Sequence, residues 1–433
     1  MTTISRFLLF TGLWLLAVPR QSQAQEEVRF SSISVGLMHA CALDAAGRAY
    51  CWGLNDAGQL GAPTSETCSG SGHSAVPCNR RPVPVETDIR FVLIAAGESH
   101  TCALARDGTA TYCWGSNALR SLGVATVAGR CLDGIPCSQT PVAVTDAPAF
   151  TRLAVGLHHS CGLTADGQIF CWGSNDMWEL GSDSASTGCQ VTVRGKTQGM
   201  ICRSRPLPVS GSKRWVELAA VEQRTCALDR SGALYCWGEW LPLSPDPVRE
   251  TAREPREVPA PARLHGLSLG GRMSVALTAA GLPVEWGYQM AGPSAKGSFP
   301  RYPANREWAL REGPLFAAVT AGYRHRCGLT SGGEAYCWGD GPMGQLGTGK
   351  KGDIWLLPGG KWAPGKVAGG YAFRAISAGG GVTCGLTADG AGYCWGENSM
   401  GQLGIGSTDD GRSSPTAVAT RVTVAARANP QRP

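Results

Sequence analysis

The chain is predicted to be all-β, a seven-bladed propeller with four strands in each blade, and three observations predict it. A Trp-Gly pair recurs seven times, at Trp52, Trp114, Trp172, Trp237, Trp286, Trp338 and Trp395, at intervals of 49 to 65 residues. That is the period of one blade. Each pair closes a strand–turn–strand segment. A proline-led run and a further apolar run follow most pairs, so each repeat supplies four short strands, the make-up of a blade.

The hairpin comes first. In the opening copy it runs from His39 to Gly53, with two apolar-rich stretches around Ala45-Ala46-Gly47. A three-residue loop needs positive φ at its third position, which glycine adopts without a steric cost. Gly47, Gly108, Gly167, Gly232, Gly281, Gly333 and Gly390 all stand there, six residues after a shared position that is cysteine in six copies and Val275 in the fifth. The second copy has one extra residue after Gly108, and a bulge is expected within Thr109 to Tyr112.

Beyond Trp-Gly, five copies carry a polar turn ending in Leu-Gly, as in Gln59-Leu60-Gly61 and Gln402-Leu403-Gly404. The proline-led strand follows, as in Pro82-Val83-Pro84-Val85. Proline suits an edge strand, whose outward side needs no N–H. A further apolar run such as Phe91-Val92-Leu93-Ile94 leads into the next hairpin.

The string Gly-x-x-His-Thr/Ser-x-Ala-Leu, x-x-Asp-Gly, Tyr-x-Trp-Gly, Asn-x-x-Gly-Gln-Leu-Gly resembles the regulator of chromosome condensation repeat. The match runs from about residue 30 to 420. It is strong in copies one, two, three, six and seven. Copy four lacks Gln-Leu-Gly after Trp237, and copy five degrades after Trp286-Gly287-Tyr288. The resemblance implies a closed seven-bladed ring. Little chain precedes the first hairpin, whereas a spare run, Ser414-Pro415-Thr416-Ala417-Val418, follows the last copy. Closure is therefore expected by pairing of the N- and C-terminal strands in one blade, which leaves no long open edge.

Twelve of the eighteen cysteines flank hairpins: Cys41 with Cys51, Cys102 with Cys113, Cys161 with Cys171, Cys226 with Cys236, Cys327 with Cys337 and Cys384 with Cys394. Directly opposed antiparallel positions bring Cα atoms to roughly 4.5 Å, within disulfide reach. Copy five lacks both partners, with Val275 and Glu285 in their places. The other six form local pairs, Cys68 with Cys78, Cys131 with Cys137 and Cys189 with Cys202. These lie in insertions at 62–81, 124–140 and 182–205, in one topological slot of three consecutive blades. Braced loops on a rigid scaffold are natural recognition elements. Their basic and aromatic residues, with Trp178 just before the third, form the candidate binding set: His73, Arg80, Arg81, Arg130, Trp178, Arg194, Lys196, Arg203 and Arg205.

The N-terminus reads as a signal peptide over residues 1–24. Arg6 precedes the apolar run Phe7 to Val18, and Ser22-Gln23-Ala24 offers a cleavage site. The propeller then occupies 25–425, with a flexible tail at 426–433. Disulfides form and persist in an oxidising compartment, so the expected location is secreted, periplasmic or cell-surface. Removing residues 1–24 leaves 37 basic against 33 acidic residues, too small an excess to argue for nucleic acid or an anionic membrane.

Histidines recur two residues before the first hairpin cysteine at His39, His100, His159 and His325. Each is expected to pack and hydrogen-bond within its own blade, and His73, His158 and His265 are expected at the surface. No metal or cofactor is expected. Nucleophile elbows, zinc-protease motifs and phosphate loops are all missing from the sequence. The expected function is a non-enzymatic extracytoplasmic platform, monomeric, that binds a protein or surface ligand through loops on one face. The alternative is an inhibitor of a secreted or envelope enzyme. Guanine-nucleotide exchange, which the resemblance implies for a nuclear GTPase, and a channel-based hydrolase rank behind.

Overall fold

Each blade is one continuous stretch of chain. In the computed structural model, which describes residues 28–69, 75–108, 110–182, 188–193, 196–240, 250–287, 308–309, 313–349, 356–357, 361–408 and 416–421, seven sheets each hold four blade strands in sequence order. Blade 1 comprises Phe30–Val35, His39–Asp44, Ala49–Leu54 and Val76–Pro84. Blade 7 comprises Phe373–Gly379, Val382–Thr387, Gly392–Gly396 and Thr416–Arg421. The first strands face the axis, where their ends from all seven blades line a channel cavity of about 90 Å³. The expected leader (1–24) and tail (426–433) lie outside the described residues.

The hairpin register follows the repeat. Cys41 opposes Cys51, and all seven third-position loop glycines have φ between 70° and 86°. In blade 2 the register from Leu104↔Thr111 to His100↔Gly115 is unbroken, so the expected bulge is absent. The extra residue is absorbed in the turn, where the Ala105 N–H donates to the Ala110 carbonyl.

All eighteen cysteines pair as neighbours in nine disulfides. In the hairpins Cys41 joins Cys51, Cys102 joins Cys113, Cys161 joins Cys171, Cys226 joins Cys236, Cys327 joins Cys337 and Cys384 joins Cys394, with Cα separations of 4.0–4.1 Å. In the insertions Cys68 joins Cys78, Cys131 joins Cys137 and Cys189 joins Cys202, at 5.8–5.9 Å. The wider spacing reflects offset register: Cys68 faces Val76 and Cys189 faces Met200 across their strands, not the cysteines they bond.

Six blades have an aromatic pair at their core, and blade 5 has Leu264 in place of the first ring. An aromatic residue at or just before the start of the first strand packs on the Trp of the same blade, as Phe30 on Trp52 at 6.0 Å and Phe316 on Trp338 at 5.5 Å. That Trp also looks across to the preceding blade. Trp114 Nε1 donates to the Gln59 carbonyl, Trp172 to Ser121, Trp237 to Glu179 and Trp52 to Gln402, at 2.9–3.0 Å.

The histidines do not bond within their own blades. His39 Nε2 meets Thr101 Oγ1 at 2.9 Å, His100 meets Ser160 at 2.8 Å, His159 meets Thr225 at 2.8 Å and His325 meets Thr383 at 2.7 Å. Every partner sits on the next blade. Each hydroxyl gives its single proton to the Gln59, Ser121, Glu179 or Gln345 carbonyl, so the imidazole must donate from Nε2. Nδ1 then carries a bare lone pair, and it has no partner among the described residues. These histidines are latches between blades.

Ring closure also differs from expectation. Thr416–Arg421 pairs with the third strand of its own blade, Gly396 opposite Thr416, and not with the N-terminal hairpin. The seventh and first blades join as other neighbours do, through side-by-side packing. The Phe30 N–H donates to Gly390 O at 2.7 Å, and Arg374 donates to the Phe30 and Ser31 carbonyls. Twisted blades packed face to face bury their apolar sides without sharing a strand, so closure needs no exchange.

Blade 5 has no disulfide. Glu285, in the cysteine position, forms an ion pair at 2.5 Å with Arg326 of blade 6, the two being 2% and 1% exposed, and it also accepts from Trp338 Nε1. An inter-blade ion pair stands where the other blades have a bridge within the hairpin.

Candidate functional site

Strand direction alternates within a blade, so the loop after the first strand and the loop after the third leave by the same face. Backbone bonds join the two loops, as Leu54 N–H to Met38 O and Ser174 N–H to His158 O. One face of the ring therefore carries both the three insertions, toward the rim, and the mouth of the channel.

Each insertion packs on the turn of the preceding blade. The first, with Cys68 and Cys78, packs on Met400 of blade 7. The second donates from Leu132 N–H to Asp56 O of blade 1. The third clusters Cys189, Cys202 and Met200 around Leu119 of blade 2. Insertions and turns alternate in a continuous arc from blade 7 to blade 3.

The candidate residues divide. His73 and Arg194 lie outside the described residues, and only the backbone of Lys196 is described. Arg80 and Arg81 are built into the ring. The Arg80 guanidinium donates to Thr67 O, its carbonyl accepts from Gly406 N–H, and the Arg81 guanidinium lies against Gly406 of blade 7. Arg203 is half-buried on the fourth strand. Arg205 makes an exposed pair with Asp146 at 2.6 Å. Arg130 is exposed, its guanidinium steadied by the Val127 and Gly129 carbonyls. Trp178 is half-buried beneath the Arg253 guanidinium, 4.3 Å from the ring centre.

Arg120 was not singled out by sequence. It and Trp178 occupy the turn position that is Gly58, Gly344 or Gly401 elsewhere, and both are left-handed, with φ of 65° and 68°. That conformation costs a non-glycine residue about 1–2 kcal/mol. The signal was available: an arginine and a tryptophan where the repeat writes glycine.

The channel mouth holds a second group that sequence reasoning missed. Glu98 of blade 2 and Tyr323 of blade 6 line the mouth, and Glu222 of blade 4 lies close enough to Glu98 for their charges to interact. Burial, followed by the neighbouring Glu222 charge, pushes Glu98 up to about 7. Burial raises Glu222 as well, with Arg224 and Arg272 opposing. Glu222 has φ 48° in a two-residue turn between Val221 and Arg224, where blade 7 uses Gly380-Gly381. Its sign in the sequence is Val221, which stands where the repeat writes Gly36, Gly97 and Gly156. His158, expected at the surface, is largely buried here, and burial lowers it to about 4. His265 is exposed. Among the described residues no group of three or more His, Cys, Asp or Glu side chains is placed to hold a metal, and no helix is long and apolar enough to cross a membrane.

Comparison with known proteins gives consistent matches. Two profiles, each described as the regulator of chromosome condensation (RCC1) repeat, match residues 46–104 and 389–427, and residues 30–59, 91–119, 150–177, 316–345 and 373–402. The chain is 24% identical to the ultraviolet-B receptor UVR8 of Arabidopsis thaliana over 87% of this chain and 79% of that one. It is 26% identical to the human regulator of chromosome condensation over 74% of each chain. Among solved structures, Prp20p of Saccharomyces cerevisiae, described with its binding properties to Gsp1p and histones, superposes with a TM-score of 0.59 at 22% identity, covering 81% of this chain and 80% of that one.

Proposed function

Since the chain belongs to the regulator of chromosome condensation repeat family, we propose that it is a non-enzymatic recognition platform working outside the cytoplasm, binding a protein or surface ligand through the insertions of blades 1 to 3. The observation that carries this reading is the arc itself. Three disulfide-braced loops in consecutive blades, each seated on its neighbour's turn, make a rigid surface that loses little entropy on binding. Its partner is a protein, as for the yeast relative reported to bind Gsp1p and histones. Nine disulfides and the charged-then-apolar N-terminus support export. Inhibition of a secreted enzyme is one way such a platform acts.

The test replaces each insertion with a short Gly-Ser turn in the full chain, checks folding by circular dichroism, and measures partner capture from secreted and envelope fractions. Loss of capture with any folded replacement is expected; unchanged capture with all three overturns the reading.

Glu98 and Glu222 favour a second reading, acid–base hydrolysis at the channel mouth, because a carboxyl near 7 is matched to proton transfer at neutral pH. A glycoside and peptide substrate screen, repeated with Glu98→Gln, tests it. Turnover that disappears in the variant would establish this reading over the first.

A further inference from the structure

The charge of the chain is not spread evenly. Of its formal +6, residues 1–24 hold two arginines and no acid. The three insertions hold seven basic residues against three acidic ones, and the rest of the chain is balanced, with 30 of each. The insertions thus carry the net charge of the propeller.

Within that arc, Arg120 has the strongest signature. Its turn lies between two insertions: Asn117 N–H donates to Pro136 O of the second, and Leu119 packs on Met200 of the third. The Arg120 side chain makes no hydrogen bond or ion pair among the described residues, although its backbone holds a conformation that other blades give to glycine. Strain retained where glycine would relieve it marks a position kept for its side chain. Arg130 is held ready by two local carbonyls, and Leu132, on the same insertion, is 43% exposed.

We propose that this arc docks an acidic protein segment bearing an apolar side chain, its carboxylates meeting Arg120 and Arg130 and its apolar group covering Leu132. This rests on the platform reading above and names the partner's chemistry. Arginine presents a planar fork that matches a carboxylate in two-point contact. A uniformly anionic polymer has nothing to cover the exposed leucine, which favours a protein over a polysaccharide.

The test uses the full chain and three probes: a short synthetic peptide alternating glutamate with leucine, a glutamate–serine peptide of equal charge, and heparin. Binding is read by fluorescence anisotropy over a salt series. The glutamate–leucine peptide should bind most tightly and weaken as salt rises. Arg120→Glu with Arg130→Glu should reduce its affinity about tenfold or more, while Arg90→Glu, placed in a loop on the opposite face, should change it less than about twofold.

Arg120→Gly keeps the test decisive should the double reversal fail to fold. It should hold or raise the melting midpoint while weakening the peptide severalfold. Absence of peptide binding, an equal loss with Arg90→Glu, or heparin binding more tightly than either peptide overturns the proposal. If Gly-Ser replacement of the insertions abolishes partner capture while the arginine variants bind the peptide like the parent, the platform stands and the acidic partner falls.

Discussion

Glu179 shows how one residue sets a pH dependence. It occupies the position that is Gln59, Gln345 or Gln402 in other blades, and its carboxylate takes the same backbone N–H, here from Met177 at 2.9 Å. Burial raises it to about 7. A raised acid contributes stability that is complete below its ordinary value of 4.5 and is lost as pH rises through 7. Glu179→Gln should therefore leave stability at pH 5 almost unchanged and raise it at pH 8 by roughly 2–3 kcal/mol. Urea unfolding at the two pH values would show this as a gain confined to the alkaline side.

The histidine latches carry the opposite sign. His39, His159 and His325 fall to about 3 through burial. A depressed histidine contributes stability that is present above 6.5 and lost as pH falls toward its folded value. At pH 5 each latch should be weaker by roughly 2 kcal/mol. The raised Glu98 and Glu179 offset part of this, since they gain in the same window. His159→Gln should flatten the acid limb of a melting-temperature profile; an unchanged limb would show that these residues titrate normally.

Among the elements, blade 5 is the exception that explains the rule. It lacks the bridge, and Glu285 instead reaches Arg326 in blade 6. Removing one member of a buried pair strands the other, so Glu285→Ala should cost about 3–5 kcal/mol. Guanidinium unfolding should show a markedly lower midpoint than Glu334→Ala, whose partner Lys366 is exposed. The repeat spacing made the hairpins, the blade count and the cysteine pairs, such as Cys161 with Cys171, legible in the sequence alone, because each depends on contacts within about ten residues. What escaped was everything between blades. The histidine partners are 58–66 residues away, and Glu98 meets Glu222 across an intervening blade. Spacing along one repeat carries no information about which neighbour a side chain faces.

At the scale of the whole molecule, the seam between blades 7 and 1 is held by packing, by Arg374 and by the first insertion, not by a shared strand. Truncation before Thr416 removes only an outer strand and leaves the closing contacts of Phe30 with Gly390 intact. The truncated chain should stay folded and unaggregated, with a modestly lower melting temperature. Deletion of residues 62–81 removes Arg80 and Arg81 from the seam and should lower it more. Differential scanning calorimetry of the two variants would rank them.

Because every blade is an unbroken run of sequence, the order in which the blades are written is arbitrary. Among the described residues, the first strand, Phe30–Val35, and the last, Thr416–Arg421, belong to adjoining blades, the inner strand of one and the outer strand of the other. A circular permutant that starts at Phe91 and joins the old termini by a linker keeps every strand pair and every inter-blade latch. It differs only in which joint is left uncovalent. A break at any joint between blades would leave the strand pairing within every blade unchanged.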